Sequence, residues 1–273
     1  MLTKEQVDGF HQDGYLFLDE FYPTKAIEAI RKNLPDVLNH RDERVVFEKG
    51  GKTVRSVYGV HQINRVFATL ARHKDIAETA QELLDGQVYV YQSKLNVKSA
   101  FDGDIWDWHQ DYIYWQTEDA MPTARVITVA LFLDDVTEFN SPIIVVPGSH
   151  CHGVLKHTIL DRKPVEYMDR QDWITTLTAS LKYTVDRSVL TEQIKAHGMI
   201  AKKGKAGSIL VFDGNTVHAS LPNISPCERS VLLYTYNRVD NAPPVEKLYR
   251  PSFLASRDST PIEPIATEIR AIA

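Results

Sequence analysis

The stretch Trp106-Asp-Trp-His-Gln-Asp-Tyr112 decides the fold, because it is typical of a β-strand that presents two potential metal ligands. Successive side chains of a strand point to opposite faces, so His109 and Asp111 are expected to share one face, with room for one ion between them. A histidine and an aspartate are two of the three ligands in the facial arrangement that leaves three positions of an octahedral Fe(II) open. The second histidine is expected at His218, within Phe212-Asp-Gly-Asn-Thr-Val-His-Ala-Ser220.

Composition limits the kinds of partner. The 273 residues include 31 Lys and Arg against 36 Asp and Glu, for a formal net charge of -5, and form no basic block of the kind that binds nucleic acid. No apolar stretch approaches the roughly 18 residues that cross a bilayer, so a small-molecule substrate is expected, without a nucleic-acid or membrane partner. Two cysteines, Cys151 and Cys227, and an N-terminus without a signal pattern favour a cytoplasmic location. A monomer or a homodimer is expected.

The hydrophobic pattern changes from helical to alternating at Gly86. Before it, Thr3 with Gln6 fits a capping box, and residues 64–84 repeat apolar side chains at helical spacing. Residues 112–124 are expected to be a loop. The alternation predicts strands at Val88–Val97, Arg125–Leu133, Ile143–Val146, Gly207–Phe212, Thr216–Ser220 and Arg229–Tyr236.

Many short strands around an inward-facing site predict a mainly β fold with flanking helices. The expected architecture is a double-stranded β-helix, a cupin-like jelly roll, with the N-terminal helices packed outside one sheet. The chain contains no internal repeat or linker, so residues 1–273 are interpreted as a single domain. Residues from about 151 to 198 show no regular pattern and are interpreted as an insertion that covers the active site.

Several motifs extend over most of the chain. They are Gln92-Ser-Lys-Leu-Asn96, Trp108-His-Gln-Asp-Tyr112, Trp115, Glu118-Asp-Ala-Met-Pro122, Pro147-Gly-Ser-His150 and Phe212-Asp-Gly-Asn-Thr-Val-His218. Together they resemble the phytanoyl-CoA dioxygenase family of Fe(II)- and 2-oxoglutarate-dependent oxygenases, and most of all its branch of ectoine hydroxylases and bacterial hydroxylases of free amino acids. The resemblance implies a jelly-roll dioxygenase domain that uses Fe(II), 2-oxoglutarate as cosubstrate, and dioxygen.

The resemblance also implies roles for individual residues. It assigns the iron to His109, Asp111 and His218, and the distal carboxylate of 2-oxoglutarate to Arg229, eleven residues after His218. A planar guanidinium meets a carboxylate with two parallel charge-assisted hydrogen bonds, worth about 1.5–3 kcal/mol. Ser220 is expected to donate to the same carboxylate. Matches to the ectoine-hydroxylase branch add Lys94, Asn96 and Thr128 to the cosubstrate pocket.

The expected substrate is a small zwitterion, a free amino acid or a close derivative, that is hydroxylated at an aliphatic carbon. Gln92 is expected to hydrogen-bond its polar head, Trp115 and Phe212 to offer aromatic faces, and Arg55 to pair with its carboxylate. Related halogenases carry a small residue at the position of Asp111, so its presence favours hydroxylation, while desaturation or ring closure stays open.

Three other functions are left open. Ectoine is the first alternative substrate, although Leu233 stands where ectoine hydroxylase carries a second phenylalanine, and Gln116 and Ala120 also depart from that branch. An acyl-CoA hydroxylase would favour a basic surface for the CoA phosphates, and the acidic chain shows no clear one. A cupin that binds a metal without turnover would not need a cosubstrate clamp such as Arg229.

Overall fold

The structure, a computed structural model, describes residues 2–160, 163 and 167–269. Its strands are β1 (Tyr15–Leu18), β2 (Val45–Phe47), β3 (Val54–Tyr58), β4 (Val88–Lys98), β5 (Trp106–His109), β6 (Val126–Phe132), β7 (Ile143–Val145), β8 (His157–Ile159), β9 (Tyr183–Val185), β10 (Ile200–Lys202), β11 (Ile209–Asp213), β12 (His218–Ser220) and β13 (Arg229–Arg238). Its helices are α1 (Lys4–Asp13), α2 (Thr24–Arg31), α3 (Leu34–Leu38), α4 (Val60–Ile63), α5 (Arg65–Leu70), α6 (Lys74–Leu83), α7 (Tyr112–Asp119) and α8 (Arg187–His197). Within the described ranges, no helix combines the length and the apolar character that crossing a membrane requires.

Two antiparallel sheets form the jelly roll. The larger sheet has seven strands in the order β1-β11-β6-β13-β4-β3-β2, and the smaller sheet has four in the order β10-β7-β12-β5. Neighbours such as β4 and β13 are far apart in sequence, as the long crossover connections of a jelly roll require. The predicted mainly β, cupin-like class with flanking helices is confirmed.

The larger sheet is buried on both faces. On β6, Val129 and Leu131 pack among apolar side chains of α2 and α5, whereas Ala130 and Phe132 pack against Val145 of the smaller sheet. The N-terminal helices therefore lie outside one sheet, as predicted, and the core between the two sheets lies on its other face. A strand that is buried on both faces is apolar almost throughout, and β6 is apolar at every position except Thr128.

The first helix begins where the sequence predicts. Thr3 and Gln6 form the reciprocal capping box, and the chain leaves α1 through Gly14 in the left-handed conformation, with φ of 76°. A Cβ atom at Gly14 would lie 2.4 Å from Nδ1 of His150 and 2.7 Å from Oγ1 of Thr216. Thr216 also donates from that hydroxyl to the carbonyl oxygen of Gly14 at 2.7 Å. Glycine is thus required both by the backbone angle and by the close packing.

The predicted strand through Asp111 and the predicted loop after it are both wrong. The strand β5 ends at His109, and Asp111 has helical backbone angles at the start of α7. The amide of Tyr112 donates to the carbonyl oxygen of Gly214, which directs the chain out of the sheet. The sequence does not show an apolar stripe for α7 because most of its surface is buried, including Tyr112, Tyr114, Trp115, Glu118 and Asp119.

The covering segment, residues 151–198, is more regular than expected. β8 and β9 pair as a separate two-stranded sheet, and α8 follows Asp186, whose carboxylate accepts from the amide of Ser188. A 3-10 helix spans Asp172–Thr176. Residues 161–162 and 164–166 of the segment lie outside the described part of the chain. Strands of three residues are too short to produce a recognisable hydrophobic period, which is why the sequence did not predict them.

Candidate active site

The predicted metal ligands lie together on the smaller sheet. β12 pairs with β5 in a register that sets His218 opposite His109, and the two ring centroids are 4.2 Å apart. The Oδ1 atom of Asp111 lies 3.7 Å from Nε2 of His109, and its Oδ2 atom lies 4.0 Å from Nε2 of His218. The ligand atoms of this triad all lie within 4.8 Å of one another, and the three side chains are buried. This spacing allows the three groups to surround one ion.

Each histidine of the triad is held by its other ring nitrogen. Nδ1 of His109 lies 2.6 Å from the carbonyl oxygen of Asp107, and Nδ1 of His218 lies 2.9 Å from that of Thr216. Because a carbonyl oxygen only accepts, Nδ1 is assigned as the protonated nitrogen, and Nε2 keeps its lone pair for a metal. Burial and the neighbouring His218 lower the pKa of His109 to about 3, and burial also lowers the pKa of His218. Both rings are therefore neutral ligands at pH 7.

Asp111 supplies the negative charge of the triad. Burial opposes its ionisation, but Lys94, His218 and His109 together lower its pKa below the ordinary value. Two neutral imidazoles and one carboxylate form the donor set of the facial iron site, and other positions around the ion remain for a cosubstrate. The side chains therefore fit Fe(II).

Two cavities adjoin the triad and share Lys94, Trp106 and His109 as wall residues. The Arg229 chamber is lined by Lys94, Asn96, Trp106, His109, Ile143, Phe212, His218, Ala219, Ser220, Arg229, Val231 and Leu233. The Gln92 chamber is lined by Tyr58, Gln92, Lys94, Trp106, His109, Asp111, Tyr114, Trp115, Thr176, Leu177, Leu181 and Arg250. The predicted cosubstrate residues Arg229, Ser220, Lys94 and Asn96 thus share one chamber, and the predicted substrate residues Gln92 and Trp115 share the other.

Arg229 is a buried cation that has no ion pair within the described ranges. The residue is 2% exposed, and its Nε and Nη2 atoms donate to the carbonyl oxygen of Ser141 at 3.0 and 2.6 Å. Burial lowers the pKa of Arg229 to about 9, against the opposing effect of Asp134. A carboxylate bound in the chamber would pair with the buried positive charge of Arg229.

The polar wall of the Gln92 chamber is fixed by contacts to other parts of the chain. Nε2 of Gln92 donates to the carbonyl oxygen of Leu254 at 2.7 Å, so this orientation leaves Oε1 as the acceptor that a ligand can use. Arg250 binds the buried carboxylate of Asp119 through Nε at 2.8 Å and through Nη2. Its Nη1 lies 3.4 Å from Oγ1 of Thr176, at the long limit for a hydrogen bond.

Arg55, predicted to pair with the substrate carboxylate, lies away from both chambers. The residue has no exposed surface, and its Nη1 donates to the buried carboxylate of Glu48 at 2.9 Å. Its Nη2 donates to the carbonyl oxygen of Ile105 at 2.7 Å, and its guanidinium carbon lies 3.8 Å from the ring centroid of Trp106. Because Arg55 neutralises Glu48 and stacks behind Trp106, it does not line either chamber.

Two other predicted residues lie elsewhere than expected. Thr128 lines neither chamber, because its hydroxyl is 3.5 Å from Oδ2 of Asp111 and 3.2 Å from Oγ1 of Thr235. It therefore contacts the metal ligand rather than the predicted cosubstrate pocket. Phe212 lines the Arg229 chamber instead of the Gln92 chamber, and its ring centroid lies 4.7 Å from that of His218.

Sequence reasoning missed much of the Gln92 chamber. The covering segment contributes Thr176, Leu177 and Leu181, and the C-terminal segment contributes Arg250. No local pattern marks Arg250, which precedes a proline in a segment without periodicity. One indirect signal was available in the motif Glu118-Asp-Ala-Met-Pro122. A carboxylate that becomes buried requires a cation, and Asp119 obtains this cation from Arg250.

A buried triad of two histidines and one aspartate, held here on a jelly roll, is characteristic of mononuclear non-haem iron oxygenases. Residues 10–231 match the model of the family described as Phytanoyl-CoA dioxygenase (PhyH), and the chain belongs to this family. It is a 2-oxoglutarate-dependent dioxygenase that uses Fe(II) and acts on a small molecule.

Similar proteins come from several bacteria. L-proline trans-4-hydroxylase of Streptomyces griseoviridis is 36% identical over 258 residues, which cover 94% of this chain and 93% of that protein. Ectoine dioxygenase of Halomonas elongata is 36% identical over 261 residues, which cover 93% of this chain and 76% of that protein. Crystal structures of EctD from S. alaskensis, one with 2-oxoglutarate and 5-hydroxyectoine and one with bound Fe, each superpose with a TM-score of 0.82. They are 28% identical in sequence, and the superposition covers 98% of this chain and 89% of the EctD chain.

Proposed function

We propose that the chain hydroxylates an aliphatic carbon of a free amino acid or a close derivative. The observation that carries this proposal is the Gln92 chamber, which has a carboxamide oxygen and a guanidinium on a wall that is otherwise largely aromatic and aliphatic. A compact zwitterion has the complementary groups, namely an ammonium, a carboxylate and a short hydrocarbon part. L-proline trans-4-hydroxylase, 36% identical to this chain, supports an amino-acid substrate.

In this proposal, Nε2 of His109, Nε2 of His218 and the carboxylate of Asp111 hold the iron. The bound iron supplies the activation of dioxygen, in which 2-oxoglutarate becomes succinate and carbon dioxide while one oxygen atom enters the substrate as a hydroxyl group. The neutral state of both rings supports the assignment, because a histidine must be deprotonated at the nitrogen that binds a metal.

The Arg229 chamber is assigned to 2-oxoglutarate. The guanidinium of Arg229 and the hydroxyl of Ser220 are expected to bind the distal carboxylate, with Lys94 and Asn96 on the same wall. Asn96 accepts a hydrogen bond from Oγ of Ser56 at 2.8 Å, which fixes the amide oxygen and leaves its Nδ2 as a donor. A dianionic cosubstrate is attracted to a chamber with two cationic side chains, Lys94 and Arg229, neither of which has an ion pair within the described residues.

The substrate is assigned to the Gln92 chamber. Oε1 of Gln92 is the expected acceptor for its ammonium group, because Nε2 is already bound to Leu254. Nη1 of Arg250 is the expected donor to its carboxylate, since the other two nitrogen atoms of the guanidinium bind Asp119. Trp115, Leu177 and Leu181 then enclose the aliphatic part, which brings a carbon atom toward the metal and excludes water.

The test is a screen of substrates on protein reconstituted anaerobically with Fe(II) and 2-oxoglutarate and then exposed to oxygen. We expect succinate and a hydroxylated product in equal amounts with at least one aliphatic amino acid, and L-proline is the first compound to assay. Asp111→Ala is the control and should abolish turnover. Turnover of acyl-CoA thioesters alone would refute the proposal, and an unsaturated or cyclised product without hydroxylation would change the reaction assigned to the site.

Ectoine is the second candidate substrate, favoured by the 36% identity to the ectoine dioxygenase of H. elongata. Leu233, which stands where ectoine hydroxylase carries a phenylalanine, lines the Arg229 chamber rather than the Gln92 chamber. The leucine at position 233 therefore does not change the wall of the Gln92 chamber. We rank amino acids first on the expected contacts of Gln92 and Arg250, and efficient hydroxylation of ectoine alone would reverse the order.

A further inference from the structure

Gln110 separates the two metal ligands His109 and Asp111 in sequence, but its side chain does not line either chamber. The residue has no exposed surface. Its Nε2 atom donates to the carbonyl oxygen of Asn215 at 2.6 Å and to that of Gly153 at 2.8 Å, and its Oε1 atom accepts from the amide of Leu155 at 2.8 Å. Both donor hydrogens and one acceptor site of the carboxamide are thus used, and these three partners fix which end is nitrogen.

The partners of Gln110 belong to two segments that would otherwise be independent of it. Asn215 lies in the loop between β11 and β12, three residues before the ligand His218. Gly153 and Leu155 lie at the start of the covering segment, where Gly153 has a left-handed φ of 63°. One buried side chain therefore connects the His109–Asp111 pair with the loop that precedes the third ligand and with the segment that covers the site.

β12 is paired with β7 over all three of its residues, but its pairing with β5, which carries His109, is shorter. β12 has three residues, and its register with β5 contains only the pairs His218 with His109 and Ser220 with Trp106, with an irregularity between them. Two hydrogen bonds link residues 109–112 directly to the loop that precedes His218. Gln110 donates from its side chain to the carbonyl oxygen of Asn215, and the amide of Tyr112 donates to the carbonyl oxygen of Gly214. Gln110 supplies the side-chain member of this pair of links.

We propose that Gln110 is a positioning residue that sets the distance between His218 and the His109–Asp111 pair, and that it thereby sets the affinity of the site for iron. It does not contact the ion, and it acts through Asn215 and the two neighbouring ligands. Groups outside the ligand shell that orient metal ligands typically change metal affinity by about 10–100-fold when they are replaced. The proposal rests on the proposed iron site.

The test compares Gln110→Met, which keeps the length of the side chain without its hydrogen bonds, with the parent protein. We expect the dissociation constant for Fe(II), measured anaerobically by titration calorimetry without 2-oxoglutarate, to rise about 10–100-fold. The free energy of unfolding of the metal-free protein is measured alongside, because a residue with only a structural role would lower this free energy and leave the iron affinity of the folded protein unchanged.

Asn223→Leu is the matched control. Asn223 is also a buried carboxamide that donates to two carbonyl oxygens, those of Lys98 and Cys227, and accepts from the amide of Ser225. Like Gln110 it lines neither chamber, but unlike Gln110 it is not adjacent in sequence to a triad residue. We expect this variant to lose stability and keep the Fe(II) affinity of the parent.

Unchanged Fe(II) affinity in folded Gln110→Met would overturn the proposal. If that variant does not fold, Gln110→Glu, which keeps the volume and the acceptor, decides by the same criterion. A parent protein that binds no Fe(II), or an Asp111→Ala variant that binds it equally well, would instead refute the iron site itself.

Discussion

At the scale of single residues, Arg229 is a buried cation that the described residues do not neutralise with an ion pair. We predict that Arg229→Lys raises KM for 2-oxoglutarate about 10–100-fold and changes KM for the amino acid little. A lysine keeps the charge but loses the planar fork, and a charge-assisted hydrogen bond contributes about 1.5–3 kcal/mol. Initial rates at varied 2-oxoglutarate measure the effect, and an unchanged dependence on 2-oxoglutarate would contradict the assignment.

Arg250 is predicted to give the opposite result. Arg250→Lys should raise KM for the amino acid by at least about tenfold and leave KM for 2-oxoglutarate near that of the parent, because Arg250 lines the chamber without Arg229. Lysine is preferred to a neutral residue because Asp119 would otherwise be a buried charge without a cation, which destabilises a protein by about 3–5 kcal/mol. The two arginine variants serve as controls for each other. Equal effects of both variants on both constants would show that the chambers are not assigned correctly.

The sequence could predict the triad but not the partners of buried cations. His109 and Asp111 are separated by one residue and His218 precedes an arginine by a fixed interval, so these positions were accessible to pattern reasoning. Arg55 was predicted to be a substrate ligand because the sequence does not reveal that it forms an ion pair with Glu48 across a hairpin. Whether a buried cation binds a ligand or another side chain is decided by packing, and a single sequence does not contain that information in local form.

At the scale of elements, the covering segment is fixed over the Gln92 chamber by α7. The hydroxyl of Tyr114 donates to the carbonyl oxygen of Tyr183 at 2.9 Å and accepts from its amide at 3.2 Å. Glu118 accepts from Nζ of Lys182 and from the hydroxyl of Tyr183, each at 2.6 Å. These contacts hold Leu181 in the chamber wall, so the segment is expected to limit the size of the substrate.

We therefore predict that Leu181→Ala favours larger substrates. The ratio of kcat/KM for L-pipecolic acid to that for L-proline should rise by about tenfold or more, since one methylene in an apolar pocket is worth about 1–3 kcal/mol. Leu190→Ala is the control, because Leu190 is buried in the same segment but packs against Val146, Val185 and Val217, away from the chambers. Both variants should lose about 2–5 kcal/mol of stability, and only Leu181→Ala should change the ratio. If both variants leave the ratio unchanged, the segment does not set the substrate size.

At the scale of the whole molecule, the jelly roll was predictable because most strands of the larger sheet and β7 are long or apolar enough to show a pattern. The pairing of β5 with β12 could not be predicted, because the register between residues about a hundred positions apart depends on the whole sheet. The single-domain interpretation of residues 1–273 stays a prediction, as does the expected monomer or homodimer.

Stability of the metal-free molecule is predicted to fall on acidification. His61, His109 and His218 are held neutral by burial, and the pKa of His61 is lowered from 6.5 to about 4. Between these two values His61 is protonated in the unfolded chain and neutral in the folded one, so its contribution to the free energy of unfolding decreases as pH falls from 6.5 to 4, by up to about 1.4 kcal/mol per pH unit. Urea titrations over this range should show a smaller decrease for His61→Gln than for the parent. Identical pH dependence would mean that His61 is not held neutral in the folded state.

The strand β5 is the last strand of the smaller sheet, four residues long, and it carries one triad member at its end and another two residues further on. A short terminal strand is the part of a sheet that frays first. When β5 separates from β12, His109 therefore leaves the side of His218, and the site loses one of its three ligands. Escape of the ion and local opening of this edge become the same event, so the amide protons of β5 should exchange with solvent at a rate that reports how long the ion stays bound.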